Sequence, residues 1–164
     1  MIALAGCGSR PPPVEGTAPS EIIGRQVQIV LPSLDGEPVD VGKLRGRPVL
    51  VHFSTTGSLT SQLDIEEIRR LRQKRHDVQV LEVSVDPTKA RLIRAWADAS
   101  RIDWVVLLPT KDLVAGGSPF GPIRVTPTTF LIDAQGRIVW GHEGQLPRGS
   151  LAQVLSQLDS RGGP

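Results

Sequence analysis

Two hydroxyls three positions apart, Ser58 and Ser61, open a charged amphipathic helix directly after the apolar run Val49–Phe53. A side chain at that junction meets the free backbone N–H groups and the positive dipole end of the helix. A thiol in such a place is acidified and becomes a nucleophile. A serine hydroxyl keeps its proton near neutral pH unless a base removes it, and that base needs an orienting acid. The nearest base is His52, but alternation along a strand does not ensure that it faces Ser58. The pattern predicts a buried, hydrogen-bonded imidazole beneath the turn. The bland chemistry is structural. Serine is among the best N-cap residues, and Ser61 followed by Asp64 fits a capping box in outline. His76, at a helix end, and His142, expected at the surface after the last strand, complete the histidines. None of the three has metal-ligand spacing, so neither a metal nor another cofactor is predicted.

Regular elements must position these groups. The chain has 164 residues, 39% apolar and 22% charged, which fits one soluble domain with a single core. A net charge of +2 is no footprint for nucleic acid. Val27–Leu31 alternates like a strand, and Asp35-Gly36 supplies a turn for an N-terminal hairpin. Val49–Phe53 suits a strand buried on both faces. Leu59–Arg75 is the clearest helix, with Leu59, Leu63, Ile68 and Leu71 as its expected apolar stripe. Val78–Val85 is the next strand. Asp86-Pro87 reads as N-cap and first turn of a helix carrying Leu92, Ile93 and Trp96 and ending near Ser100. Trp104–Leu108 follows as a strand. Thr128–Asp133 and Arg137–Gly141 pair around Asp133-Ala134-Gln135-Gly136, and Ser150–Leu158 closes the chain as a helix. This order predicts an α/β fold, a mixed sheet flanked by helices on both faces. Trp96, Trp104 and Trp140 read as packing residues. Gly116-Gly117-Ser118-Pro119 matches no phosphate-cradling motif.

The stretches "LRGRPVLVHFSTT", "VLEVSVDP" and "VTPTTFLIDAQGRIV" together resemble the TlpA/ResA and redoxin (AhpC/TSA) branch of the thioredoxin-like superfamily, over about residues 23–158. The resemblance implies a thioredoxin-like fold and places Ser58 and Ser61 on the two cysteines of the family's C-x-x-C. It puts Gly57 on a tryptophan, His52 on a polar residue that is usually Asn or Asp, and Pro127, preceded by Thr126, on the cis-proline. Thr55-Thr56-Gly57-Ser58 reads as the T-x-x-C of the related peroxiredoxins with the thiol missing. Sco-type copper chaperones share "SVDP"-like text, but their ligating cysteines are missing too. The cis-proline loop of this family can pair its free backbone with an extended peptide, which requires no thiol.

The chain has one cysteine, Cys7, so no internal disulfide or redox pair can form within it. Leu4-Ala5-Gly6-Cys7 resembles a bacterial lipobox, although the basic and apolar regions that precede one are missing here. That resemblance implies an extracytoplasmic, membrane-anchored lipoprotein, held only through a lipid on Cys7. Residues 1–22 read as leader and Pro/Gly-rich linker, 23–160 as the domain and 161–164 as a tail.

The reading expected is therefore a redox-silent thioredoxin-like binding module. Its former active-site face (His52, Thr55, Thr56, Gly57, Ser58, Ser61, Thr126, Pro127) would take a protein or peptide partner. The alternative is an enzyme, a thiol–disulfide oxidoreductase of the same family whose cysteines stand here as serines. A third is a structural subunit of an envelope complex.

Overall fold

A computed structural model describes residues 15–86 and 88–161. Cys7 and Pro87 lie outside that set. The chain enters through a small antiparallel hairpin, β1 (Val30–Leu31) with β2 (Val39–Asp40). It continues with β3 (Val49–Ser54), α1 (Leu59–Lys74), β4 (Gln79–Ser84), α2 (Ala90–Ala99) and β5 (Val105–Leu107). The short helix α3 (Lys111–Val114) precedes β6 (Thr128–Ile132), β7 (Ile138–Glu143) and α4 (Ser150–Arg161). The main sheet has the order β5-β4-β3-β6-β7. β3, β4 and β5 are parallel, which the crossovers through α1 and α2 allow, while β6 pairs antiparallel with β3 and β7 antiparallel with β6.

Every residue of the central strand β3 is buried. Val49, Val51 and Phe53 face a core shared with the N-terminal hairpin and α3, where Phe53, Phe120 and Phe130 meet at centroid distances of 5.1, 5.9 and 5.1 Å. Leu50, one step out of phase, faces α1 and α4 through Ile68, Leu71, Leu151, Val154 and Leu155. His52 and Ser54 share the alternation of Leu50, so they lie under α1.

Three local expectations change. Leu59 and Leu63 are 74% and 46% exposed, and the buried face of α1 runs Ser61, Asp64, Ile65, Ile68, Leu71. α2 starts at Ala90 with Lys89 as its N-cap, while Asp86 turns back to accept hydrogen bonds from Thr56 and Ser84. His142 lies within β7, stacked on Trp140 at 5.9 Å with the rings 7° apart. The segment before Ile23 also packs on the domain. Ala18 N–H donates to Gly141 O at 3.1 Å, Glu143 N–H donates to Thr17 Oγ1 at 2.8 Å, and Ile22 is buried. Among the described residues no helix is long and apolar enough to cross a membrane.

Candidate functional site

β3 ends at Ser54 and passes into α1 through Thr55, Thr56 and Gly57. Ser58 N–H donates to Thr55 O at 3.4 Å, closing the turn, and Gly57 has φ +77°, a conformation that strongly favours glycine. The turn is anchored by Asp86, whose Oδ2 accepts from Thr56 N–H at 2.6 Å and from Ser84 Oγ at 3.1 Å. Ser58 is the N-cap of α1. Its Oγ accepts from Ser61 N–H at 3.3 Å and lies 2.9 Å from Thr60 Oγ1. Ser61 is fully buried, and its Oγ has no partner. The capping box from Ser61 to Asp64 does not form. Asp64 is buried, and its Oδ1 accepts from Leu146 N–H at 2.9 Å. Ser58→Ala is expected to cost about 1 kcal/mol of stability, with Ser58→Asn restoring it. Urea unfolding measures both.

Beneath the turn lies a buried charge cluster. β3 and β4 pair His52 directly with Glu82, and both are 0% exposed. His52 Nδ1 lies 3.0 Å from each Glu82 oxygen, and Ser54 Oγ donates to the same carboxylate. On the other side His52 Nε2 stands 3.5 Å from Asp64 Oδ2, an ion-pair separation without a well-formed hydrogen bond. Burial opposes a charge on His52. The adjacent Glu82 carboxylate, aided by Asp64, outweighs that opposition and pushes the imidazole up to about 9. At neutral pH the cluster is thus an imidazolium between two acids.

A base committed to Glu82 on one nitrogen and facing Asp64 on the other is not set to activate Ser58. Ser58 in turn spends its oxygen on the helix cap. The Ser–His arrangement needed for nucleophilic catalysis is not assembled. The dithiol mechanism has no thiols at positions 58 and 61. Among the described residues no His, Cys, Asp and Glu cluster suits a metal ion.

The loop before β6 completes the face. The Thr126–Pro127 peptide bond is cis. Thr126 Oγ1 comes within 3.4 Å of Thr55 Oγ1, so the two loops touch. Pro127 O accepts from Gly144 N–H at 2.8 Å, and Thr128 Oγ1 donates to Val125 O at 2.7 Å. Thr126 N–H and C=O have no partner among the described residues. The face therefore gathers Thr55, Gly57, Ser58, Thr126 and Pro127, while His52 and Ser61 lie beneath it.

Glu82, Asp64 and Asp86 escape a reading of the sequence as site residues. Glu82 had a usable signal, since a lone acid inside the apolar run Val80–Val85 demands a buried partner.

Residues 23–141 match the sequence model of the AhpC/TSA family, and the chain belongs to that family. No curated protein matches the sequence. Among solved structures, a DsbF homologue from Corynebacterium diphtheriae superposes with a TM-score of 0.73 at 13% identity, covering 89% of this chain and 99% of its own. A protein from Neisseria meningitidis described as a thioredoxin gives 0.69 at 24%, covering 91% and 93%. The exposed lipoprotein thioredoxin of Streptococcus pneumoniae gives 0.64 at 20%, covering 79% and 98%. The fold is thioredoxin-like, and family and fold together are consistent with the TlpA/ResA-like branch.

Proposed function

We propose that this chain is a peptide-binding member of its family that works without thiol–disulfide exchange. The observation that carries this reading is the unpaired backbone of Thr126. Its neighbour Val125 is 43% exposed, and the Thr55 turn that Thr126 touches leads into α1, whose first residue Leu59 is 74% exposed. An extended chain can satisfy the Thr126 N–H and C=O by strand addition and cover those apolar side chains. Ser58 as cap and Asp86 as anchor hold the turn beside it.

The cellular setting belongs to the same proposal. The Leu4-Ala5-Gly6-Cys7 motif and the likeness to an exposed lipoprotein thioredoxin support an extracytoplasmic protein tethered by a lipid on Cys7. The second reading is a thiol–disulfide oxidoreductase with cysteines at 58 and 61. It draws support from fold neighbours such as a DsbE-type interchange protein of Chlorobium tepidum.

Oxidised insulin B chain serves as an unfolded probe. Titrated into the full chain, it is expected to shift the amide resonances of Thr126 and of Thr55–Ser58. A probe N-methylated at alternate residues keeps its side chains but cannot pair its backbone, and is expected to bind at least tenfold more weakly. Equal binding of both probes, or no shift at these amides at millimolar probe, would remove the proposal.

A further inference from the structure

We propose that the cleft between the second half of α1 and the start of α4 binds a phosphate group in its dianionic form. The cleft has a volume of about 420 Å³, within the range of small-molecule sites. Cations dominate its walls. Arg70, Lys74 and Arg75 line it from the α1 side and Arg148 from the approach to α4, against a single acid, Glu67. That acid is already committed. Its Oε1 accepts from Gly149 N–H at 2.7 Å, and its Oε2 accepts from Arg70 Nη1 at 2.8 Å. Arg75 is taken as well, by Asp77 and Asp159. Lys74 and Arg148 are exposed, and neither forms a side-chain hydrogen bond or an ion pair among the described residues. The cleft thus joins one open cation from each of its two sides.

Two placements here run against local stability. Arg70 and Lys74 stand four positions apart on an exposed stripe of α1, where like charges repel. Arg148 lies two residues before Ser150, the first of α4, so it adds a cation at the positive dipole end of a helix whose first turn holds no acid. An anion in the cleft relieves both conflicts, whereas a neutral or cationic guest relieves neither. Two open cations call for two negative charges. A phosphate dianion has three terminal oxygens and can accept from a guanidinium and an ammonium together, while a lone carboxylate brings one charge. The same group occurs on soluble phosphate esters and on lipid headgroups. The position is separate from the peptide face. Glu67, the first α1 residue of the cleft, comes eight positions after Leu59, about 12 Å along the helix axis.

The test titrates phenyl phosphate into the full chain at pH 8 and fixed ionic strength, read by calorimetry, beside benzoate, which carries the same ring on one carboxylate. Saturable one-to-one binding of phenyl phosphate is expected, with benzoate at least tenfold weaker. The double variant Lys74→Gln, Arg148→Gln is expected to weaken phenyl phosphate at least tenfold and to keep the melting temperature to within about 2 °C. Arg91→Gln with Lys111→Gln removes the same net charge at exposed positions of α2 and α3 and is expected to leave the affinity unchanged. The comparison of the two anions on the unaltered chain needs no variant, so it stands even where a variant fails to fold. Phosphatidylcholine vesicles containing phosphatidic acid identify the source. Retention that is lost in the Lys74, Arg148 variant assigns a lipid headgroup, and phenyl phosphate binding without retention assigns a soluble ester. Equal affinity for the two anions, an equal loss in both double variants, or no saturation at millimolar phenyl phosphate would each overturn the assignment.

Discussion

His52→Leu is expected to lower stability by about 3–5 kcal/mol at pH 7, the usual consequence of removing one partner from a buried ion pair. At the typical 2–4 °C per kcal/mol for a chain of this size, Tm falls by roughly 10 °C. The reason is what remains. Glu82 and Asp64 stay fully enclosed, Glu82 keeps only the Ser54 hydroxyl and Asp64 the Leu146 N–H. The pH dependence separates this from a simple packing defect. His52 ordinarily titrates near 6.5 and is raised to about 9 in the fold. Between those values the folded protein holds a proton that the unfolded chain has released. The stabilisation is therefore complete below about pH 6.5 and is lost as pH rises through 9. Wild type should lose on the order of 2–3 kcal/mol across that window, and His52→Leu should lack this component. Urea unfolding at pH 6, 7.5 and 9 checks it. The double variant His52→Leu, Glu82→Leu should recover part of the loss, because a buried pair replaced as a whole is often near neutral. A flat wild-type profile from pH 6 to 9 would show that His52 is not held charged.

Restoring cysteines should have the opposite character, a gain of activity. The double variant Ser58→Cys, Ser61→Cys is expected to catalyse insulin reduction by dithiothreitol at least a hundredfold above the unaltered chain. Position 58 is partly exposed at the helix N-terminus, where a thiolate is stabilised, and position 61 is buried one turn further on, as an attacking and a resolving sulfur require. His52, charged beneath the turn, adds a cation, while Asp86 at Thr56 opposes it with a nearby carboxylate. Ser58→Cys alone should stop at a mixed disulfide, since no second thiol can resolve it. Turnover by the unaltered chain would overturn the thiol-free reading and require another nucleophile. An inert double variant would show that Gly57 and His52 no longer support redox work even on an intact scaffold.

Much of this architecture is legible from pattern alone. The apolar run at β3, the turn residues between β6 and β7 and the length of α1 all follow from periodicity and turn chemistry. The failures share one cause. A hydrophobic stripe assigns buried positions to apolar residues, but the N-terminal half of α1 buries Ser61 and Asp64 and leaves Leu59 and Leu63 in water. That inversion makes sense only once His52 and Glu82 are known to lie across from Asp64, and it takes strand register to pair positions 52 and 82 and the packing of α1 to bring position 64 to them. Asp86 fails similarly. Beside Pro87 it looks like a cap for the next helix, yet its carboxylate reaches backwards to the β3–α1 turn, a contact no local window can contain. The short α3 has too few residues for a periodic signal.

The segment strapped along β7 bears on how the edges of this sheet avoid self-association. An open sheet has two lateral rims, each a template on which further chains could stack into aggregates. Here one rim is occupied by residues 17–26, which bond along β7 through Thr17, Ala18, Gly24, Arg25 and the Gln26 bridge. The other, β5, is only three residues long and is met by Pro32, Ser33 and Leu34. With both rims occupied, indiscriminate polymerisation through the sheet is discouraged. A truncation that removes the strap would uncover the β7 rim and open it to self-association.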